Sequence, residues 1–311
     1  WYGWHCYLGE PTVEGWQIMS VTLPAGAPEE VVTKALVRAI DLAPFGASGH
    51  LALITLDNGM DHNRPNTFGP QSLVELDNAI SDALSRTPVA VAITGKPFIF
   101  AAGADLSGLA FLTDRSQALQ IGQLGHRVFK RLSECGVPTF AFINGLALGG
   151  GLEVGLHCTY RTLASTAFTA LPECFLGLVP GWGGATILPK LIGPERAVQV
   201  IIGNALNNNT MMKAQDALAL GVVDAVYEPA DFLERSVSFA ASILSGKQAI
   251  SRTDYSADPN WDKALAAGKA AVAKKYGGAD IEAPRRALEI IAAARTNTYD
   301  QGFALEDEAL T

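Results

Sequence analysis

The sequence predicts an α/β fold followed by a helical C-terminal region, and three observations carry that prediction. From about residue 50 short apolar runs alternate with longer segments of helical period. Beyond residue 195 the pattern becomes almost wholly helical. The chain is 49% hydrophobic and 17% charged over 311 residues, which supplies a large buried core and excludes a disordered chain.

The elements follow in order. Residues 1–20 are rich in Trp, Tyr and Gly, show no period and take no assignment; with Trp1 in first place, the expectation is a missing or foreign start, with Met19 a candidate native one. Between Val31 and Leu42 polar and apolar residues partly alternate (Lys34, Leu36, Arg38, Ile40). Pro44–Gly49 (PFGASG) is turn material and Leu51–Leu56 (LALITL) a short aliphatic run, so two strands joined by a turn are expected. Pro70 opens a helix over 70–86 with Leu73, Leu76, Ile80 and Leu84 on one face. Val89–Thr94 (VAVAIT) and Thr139–Ile143 (TFAFI) read as buried strands, with an amphipathic helix over Gln117–Cys135 between them. That alternation argues parallel pairing through crossover connections. A short apolar helix after Gly150 leads to strand-like runs at Tyr160–Leu163 and Ala167–Ala170. Helices are then expected over Glu195–Ile202, Met212–Leu220, Pro229–Leu244, Asp262–Lys275 and Pro284–Thr298. No internal repeat or low-complexity tract is visible. Neither glycine cluster, 149–151 or 181–184, has the GxGxxG spacing of a dinucleotide site.

Composition removes several function classes. A net charge of −8 with no basic tract is poorly suited to neutralising phosphates, so no nucleic-acid partner is expected. Cys6, Cys135, Cys158 and Cys174 form no CxxC pair, and His5, His50, His62, His126 and His157 form no HxH or HExxH pattern, so neither a disulfide framework nor a metal site is expected. Reduced thiols, no apolar run of roughly 18 charge-free residues and no basic-then-apolar leader together predict a cytoplasmic protein without a membrane span.

Four local features carry chemistry. In Ile99–Leu106 (IFAAGADL) small residues allow the backbone to approach a ligand, although the same residues suit a tight turn with Asp105 as a helix N-cap. In Asn144–Glu153 (NGLALGGGLE) three glycines precede a short helix, which places free N–H groups and a positive dipole end toward a developing oxyanion, or merely lets helix and strand pack closely. Glu153 is the one acid between Ile143 and Tyr160, in an otherwise apolar and small-residue segment; it is either functional or a first-turn acid meeting the helix dipole. Glu173, after Pro172 in ALPECFLGLVPGWGG, has a structural reading as a helix-start acid.

In this order the features resemble the crotonase (enoyl-CoA hydratase/isomerase) superfamily, and most closely the hydratase portion of multifunctional fatty-acid β-oxidation enzymes. The matching segments are Ala101–Asp105 (AAGAD), Ile143–Glu153 (INGLALGGGLE), and Pro172–Glu173 followed by Gly177 and Pro180–Gly184. Glu153 and Glu173 stand twenty positions apart, the hydratase separation. The flanks NRPNTF (63–68) and the AxxxGVVDAV pattern (217–226) are similar too, as is the stretch 283–310 to the tail of the hydratase portion. Two places depart: Thr159 stands where the family usually has Asp, and Gly183–Leu188 reads GGATIL in place of GGTQRL.

The resemblance implies a spiral of ββα turns over residues 21–210, with two nearly perpendicular sheets, and a helical region over 211–311 that builds a homotrimer or a hexamer. In a multifunctional enzyme the 283–310 segment would instead cover the trimer surface, and a dehydrogenase domain would follow. It implies an acyl-CoA substrate and no metal or redox cofactor. Backbone oxyanion donors map onto Ala104 and Gly150, substrate contacts onto Ala102, Ala104, Asp105, Leu106 and Gly150, and catalysis onto Glu153 and Glu173. The implied reaction is hydration of 2-trans-enoyl-CoA to 3-hydroxyacyl-CoA. The alternatives are Δ3-Δ2-enoyl-CoA isomerisation, which can run on the second glutamate alone, and a non-catalytic acyl-CoA-binding subunit.

Overall fold

The computed structural model describes residues 26–111 and 114–310; residues 1–20 and Met19 lie outside them. The chain runs β1 (Lys34–Asp41), β2 (His50–Asp57), α1 (Pro70–Ser85), β3 (Ala90–Gly95), β4 (Ile99–Ala101), α2 (Arg115–Glu134), β5 (Thr139–Ile143), β6 (Leu146–Leu148), α3 (Gly150–Leu156), β7 (Tyr160–Ala164), β8 (Phe168–Ala170) and α4 (Glu173–Leu176). Then follow α5 (Gly184–Ile192), α6 (Pro194–Val198), β9 (Met212–Lys213), α7 (Ala214–Leu220), β10 (Ala225–Tyr227), α8 (Phe232–Leu244), α9 (Trp261–Tyr276), α10 (Glu282–Ala294) and α11 (Tyr299–Ala309).

Two sheets result. One is six-stranded in the order β1-β2-β3-β5-β7-β10, and the other four-stranded in the order β4-β6-β8-β9. The β1–β2 hairpin and the β8–β9 pair are antiparallel, and the remaining pairs are parallel. Every residue of β3 and β5 is buried, as befits central parallel strands covered on both faces. A ββα unit recurs three times, as β3-β4-α2, β5-β6-α3 and β7-β8-α4. In each, the first strand joins the large sheet and the second the small one. The repetition lies in the backbone path and leaves no period in the side chains, which is why the sequence shows no repeat.

Several expected boundaries move. Ile99–Leu106 is not a simple turn: Ile99–Ala101 is β4, and a 3-10 turn starts at Leu106. Met212–Lys213 opens the expected 212–220 helix as a strand, because it pairs with Phe168 and Thr169. The expected 195–202 helix is α6 followed by a π-helical turn at Gln199–Asn204. The expected 284–298 helix stops at Ala294, and Thr298 caps a separate α11 through a reciprocal box with Gln301.

Thr159, which departs from the hydratase pattern, and the similar 63–68 flank both have structural work. Thr159 exchanges hydrogen bonds with Thr139 across the ends of β5 and β7, through N–H groups and hydroxyls. In the 63–68 flank, buried Asn66 ties Leu56 O to Phe100 O through its amide and accepts from Asn58 N–H.

Candidate active site

The site lies where the second strands of the ββα units end. At the β4 end, Phe68 N–H donates to Gly103 O at 2.9 Å and Asp105 N–H donates to Phe68 O at 3.0 Å, forming a single parallel bridge between Phe68 and Ala104. Those bonds use the peptides on either side of Ala104, so the Ala104 N–H faces away from Phe68. At the β6 end, Gly149 adopts φ 50°, ψ −126°, a conformation that favours glycine, and its N–H donates to Ala170 O. Helix α3 then begins at Gly150, whose N–H has no intrahelical acceptor. A Cβ on Gly150 would lie 3.5 Å from Ala104 N and 2.6 Å from a ring carbon of Trp182. The two nitrogens are therefore neighbours in a space that only glycine leaves open, and no described residue accepts from either N–H.

A cavity of about 130 Å³ opens over these nitrogens. Ala102, Ala104, Leu106, Gly150, Glu153 and Glu173 line it, so the sequence-predicted site residues converge on one space. Asp105 is the exception. It does not line the cavity, and its carboxylate accepts from Ser107 N–H at 2.9 Å, the capping role that its position also allowed. The far wall is apolar, with Ile121 and Gly122 from α2, Leu176, Val179, Trp182 and Leu310.

Glu153 projects from the first turn of α3 and is 2% exposed. One oxygen, Oε1, accepts from Trp182 N–H and Gly184 N–H, both at 2.8 Å. Burial and then the charge of Glu306 raise its pKa to about 7, while the two N–H bonds and His126 oppose the rise. Glu173 opens α4. As a residue it is partly exposed, yet its Oε2 is buried and without a hydrogen-bond partner among the described residues. Burial and then the Glu153 carboxylate push its pKa well above the usual carboxylate range. Two carboxyl groups thus share a low-dielectric space in which both do not ionise together.

Behind Glu153 the structure adds residues that the sequence did not single out. Glu306 of α11 has no exposed surface and accepts from Gly183 N–H at 2.6 Å and Thr186 N–H at 2.8 Å. His126 of α2 lies 2.8 Å from Glu306 through Nε2 and 2.8 Å from Asp307 through Nδ1. Burial acts to lower the pKa of His126, but the two carboxylates prevail and raise it to about 9. His157 is the opposite case: burial pushes its pKa down to about 3, and its neutral ring donates through Nε2 to Trp182 O at 3.0 Å.

A family model described as enoyl-CoA hydratase/isomerase matches residues 46–275. The chain belongs to the enoyl-CoA hydratase/isomerase family. Among curated relatives, it is 31% identical over 269 residues to the fatty acid oxidation complex subunit alpha of Pseudomonas syringae pv. tomato, which covers 82% of this chain and 36% of that protein. It is 35% identical over 219 residues to the short-chain-enoyl-CoA hydratase of Clostridium acetobutylicum, covering 66% of this chain and 78% of the relative. The chain spans about a third of the length of the alpha subunits it matches.

Solved structures agree on the crotonase fold. The enoyl-CoA hydratase of Bacillus anthracis superimposes with a TM-score of 0.57 at 25% identity, over 84% of this chain and 90% of that one. Pseudomonas aeruginosa DspI does so with a TM-score of 0.58 at 30% identity, over 73% and 85%. Both the family and the crotonase-like α/β fold expected from the sequence therefore stand. No helix among the described residues is long and apolar enough to cross a membrane.

Proposed function

We propose that this family member hydrates 2-trans-enoyl-CoA thioesters to 3-hydroxyacyl-CoA, the hydro-lyase reaction of fatty-acid β-oxidation. One observation carries the reading: two carboxyl groups with raised pKa values, Glu153 and Glu173, line one cavity beside the unspent N–H groups of Ala104 and Gly150. Addition of water to the conjugated double bond gives the thioester enolate character. Two preorganised N–H donors on its carbonyl oxygen stabilise that charge without reorganisation. Water must lose a proton as it attacks the β-carbon, and the α-carbon must gain one. A pair of carboxyl groups that holds one proton between them supports both transfers in either direction.

The local bonding suits this division. Glu153 is held through Oε1 by two N–H groups, which fixes its plane, while Glu173 keeps an oxygen free of protein donors. The name of the Clostridium relative, a short-chain-enoyl-CoA hydratase, supports an enoyl-CoA substrate, and that of the Pseudomonas relative supports a place in fatty acid oxidation. The 3-hydroxyacyl product is the natural substrate for a following oxidation at the hydroxyl-bearing carbon.

The test is crotonyl-CoA, followed through its conjugated-enoyl absorbance. Hydration removes that absorbance, whereas isomerisation of a 3-enoyl-CoA creates it. A catalytic fall with crotonyl-CoA, exceeding any rise with 3-hexenoyl-CoA, is the expected result. A rise with 3-hexenoyl-CoA and no change with crotonyl-CoA would identify an isomerase. Binding without turnover of either would identify a binding subunit.

A further inference from the structure

The turn that opens α5 directs four backbone N–H groups at two carboxylates. Trp182 and Gly184 donate to Glu153, and the interleaved Gly183 and Thr186 donate to Glu306. Gly183 sits at φ 109°, which lets successive N–H groups diverge to the two sides. Glu306 does not line the cavity, so it acts on the site only through this turn and through its charge. A buried carboxylate is costly unless it is hydrogen-bonded and paired. Glu306 is both, with His126 as its third donor. The His126 ring lies between carboxylates on both nitrogens, so it donates twice and carries a positive charge.

We propose that Glu306, paired with His126, is a positioning residue for Glu153: it anchors from behind the turn that holds Glu153 Oε1, and the pair sets the electrostatic field in which Glu153 exchanges its proton. The proposal rests on reading Glu153 as an acid–base group. The other charged and titratable groups around this cluster do not take that role. Glu173 on α4 faces the cavity, and His157 on α3 is neutral and bonded to Trp182 O. Lys130 on α2 pairs with Glu134 and Asp300, and Lys190 on α5 donates to Asn297 O. Asp307 holds the far side of His126.

The closing experiment titrates the free protein, with glutamate labelled at the side-chain carboxyl carbon, by NMR. The Glu153 resonance is identified by its loss in Glu153→Gln. Glu306→Gln removes the negative neighbour while Asp307 still holds the His126 proton, so the Glu153 midpoint should fall by about one pH unit. His126→Gln leaves Glu306 uncompensated, and the midpoint should rise. Asp307→Asn, at a side chain 13% exposed, loosens the His126 proton from the edge of the cluster and should also raise it. The alkaline limb of crotonyl-CoA hydration should move in the same directions. A purely structural role would lower stability and leave the midpoint alone. A wild type that hydrates nothing would defeat the functional reading while the titration still decides the coupling. A Glu153 midpoint unmoved in the folded variants, or moved the same way by Glu306→Gln and His126→Gln, overturns the proposal.

Discussion

At the scale of single residues, the site depends on groups whose surroundings displace their ionisation: burial raises Glu153, whereas against burial two carboxylates raise His126. Glu153 has a folded pKa of about 7 against an ordinary 4.5, and His126 about 9 against 6.5. Both are raised, so the folded state binds the extra protons. The stability they contribute is full below the ordinary value and is lost as pH rises through the folded one. Thermal melts should therefore show a midpoint that falls between pH 4.5 and 7 through Glu153 and between pH 6.5 and 9 through His126, and His126 alone accounts for on the order of 3 kcal/mol of the decline. His126→Gln should lower stability at pH 6.5 and flatten the decline; an equally steep decline in that variant would show that another group carries it. A second prediction concerns the backbone donors. Proline at position 150 removes the N–H beside Ala104, so Gly150→Pro should cost about 3 kcal/mol of transition-state stabilisation, roughly a hundredfold in rate. Circular dichroism checks that α3 survives, and a folded variant with wild-type turnover would rule out Gly150 as a donor.

At the scale of elements, the apolar wall of the cavity and the legibility of the sequence meet in α11. Leu310 follows this helix and packs where a Cβ on Gly122 would lie 3.1 Å from its Cδ1, closing the cavity against α2. Leu310→Ala should raise kcat/KM for octenoyl-CoA relative to crotonyl-CoA by about tenfold, the low end of the value of one methylene in an apolar pocket. An unchanged ratio would place the acyl tail elsewhere. Long periodic elements such as α1 and α2, and the fully buried, mostly apolar β3 and β5, were legible because their burial pattern is written in their side chains. Strands β4 and β6 span Ile99–Ala101 and Leu146–Leu148, too short to show a period, and they exist through pairing with each other. Glu306 and Asp307 look like a solvated helix face in sequence. Only the packing of α11 against α2 and α5 buries Glu306, although the Thr298–Gln301 capping box was a readable sign that a new helix starts there.

At the scale of the whole molecule, the spiral explains why residues far apart in sequence form one site. Each ββα unit ends its short strand near the same cavity: β4 leads to Ala104, β6 to Gly150 and β8 to Glu173. Loop motifs with glycines in fixed order made the two glutamates and two donors legible, whereas the buried support from the C-terminal helix comes from tertiary packing alone. We further propose assembly as a homotrimer or hexamer; light scattering at micromolar concentration should give a multiple of three protomers, and a monomer would contradict it. The central claim, that Glu153 and Glu173 act as one acid–base unit, is tested most directly by crotonyl-CoA hydration rates of Glu153→Gln, Glu173→Gln and the double variant. Glutamine keeps shape but cannot exchange the proton. Each single change should lower the rate by roughly a hundredfold or more, and the double variant should be little worse than either. A folded Glu153→Gln enzyme with wild-type hydration, or two losses that multiply in the double variant, would contradict the account.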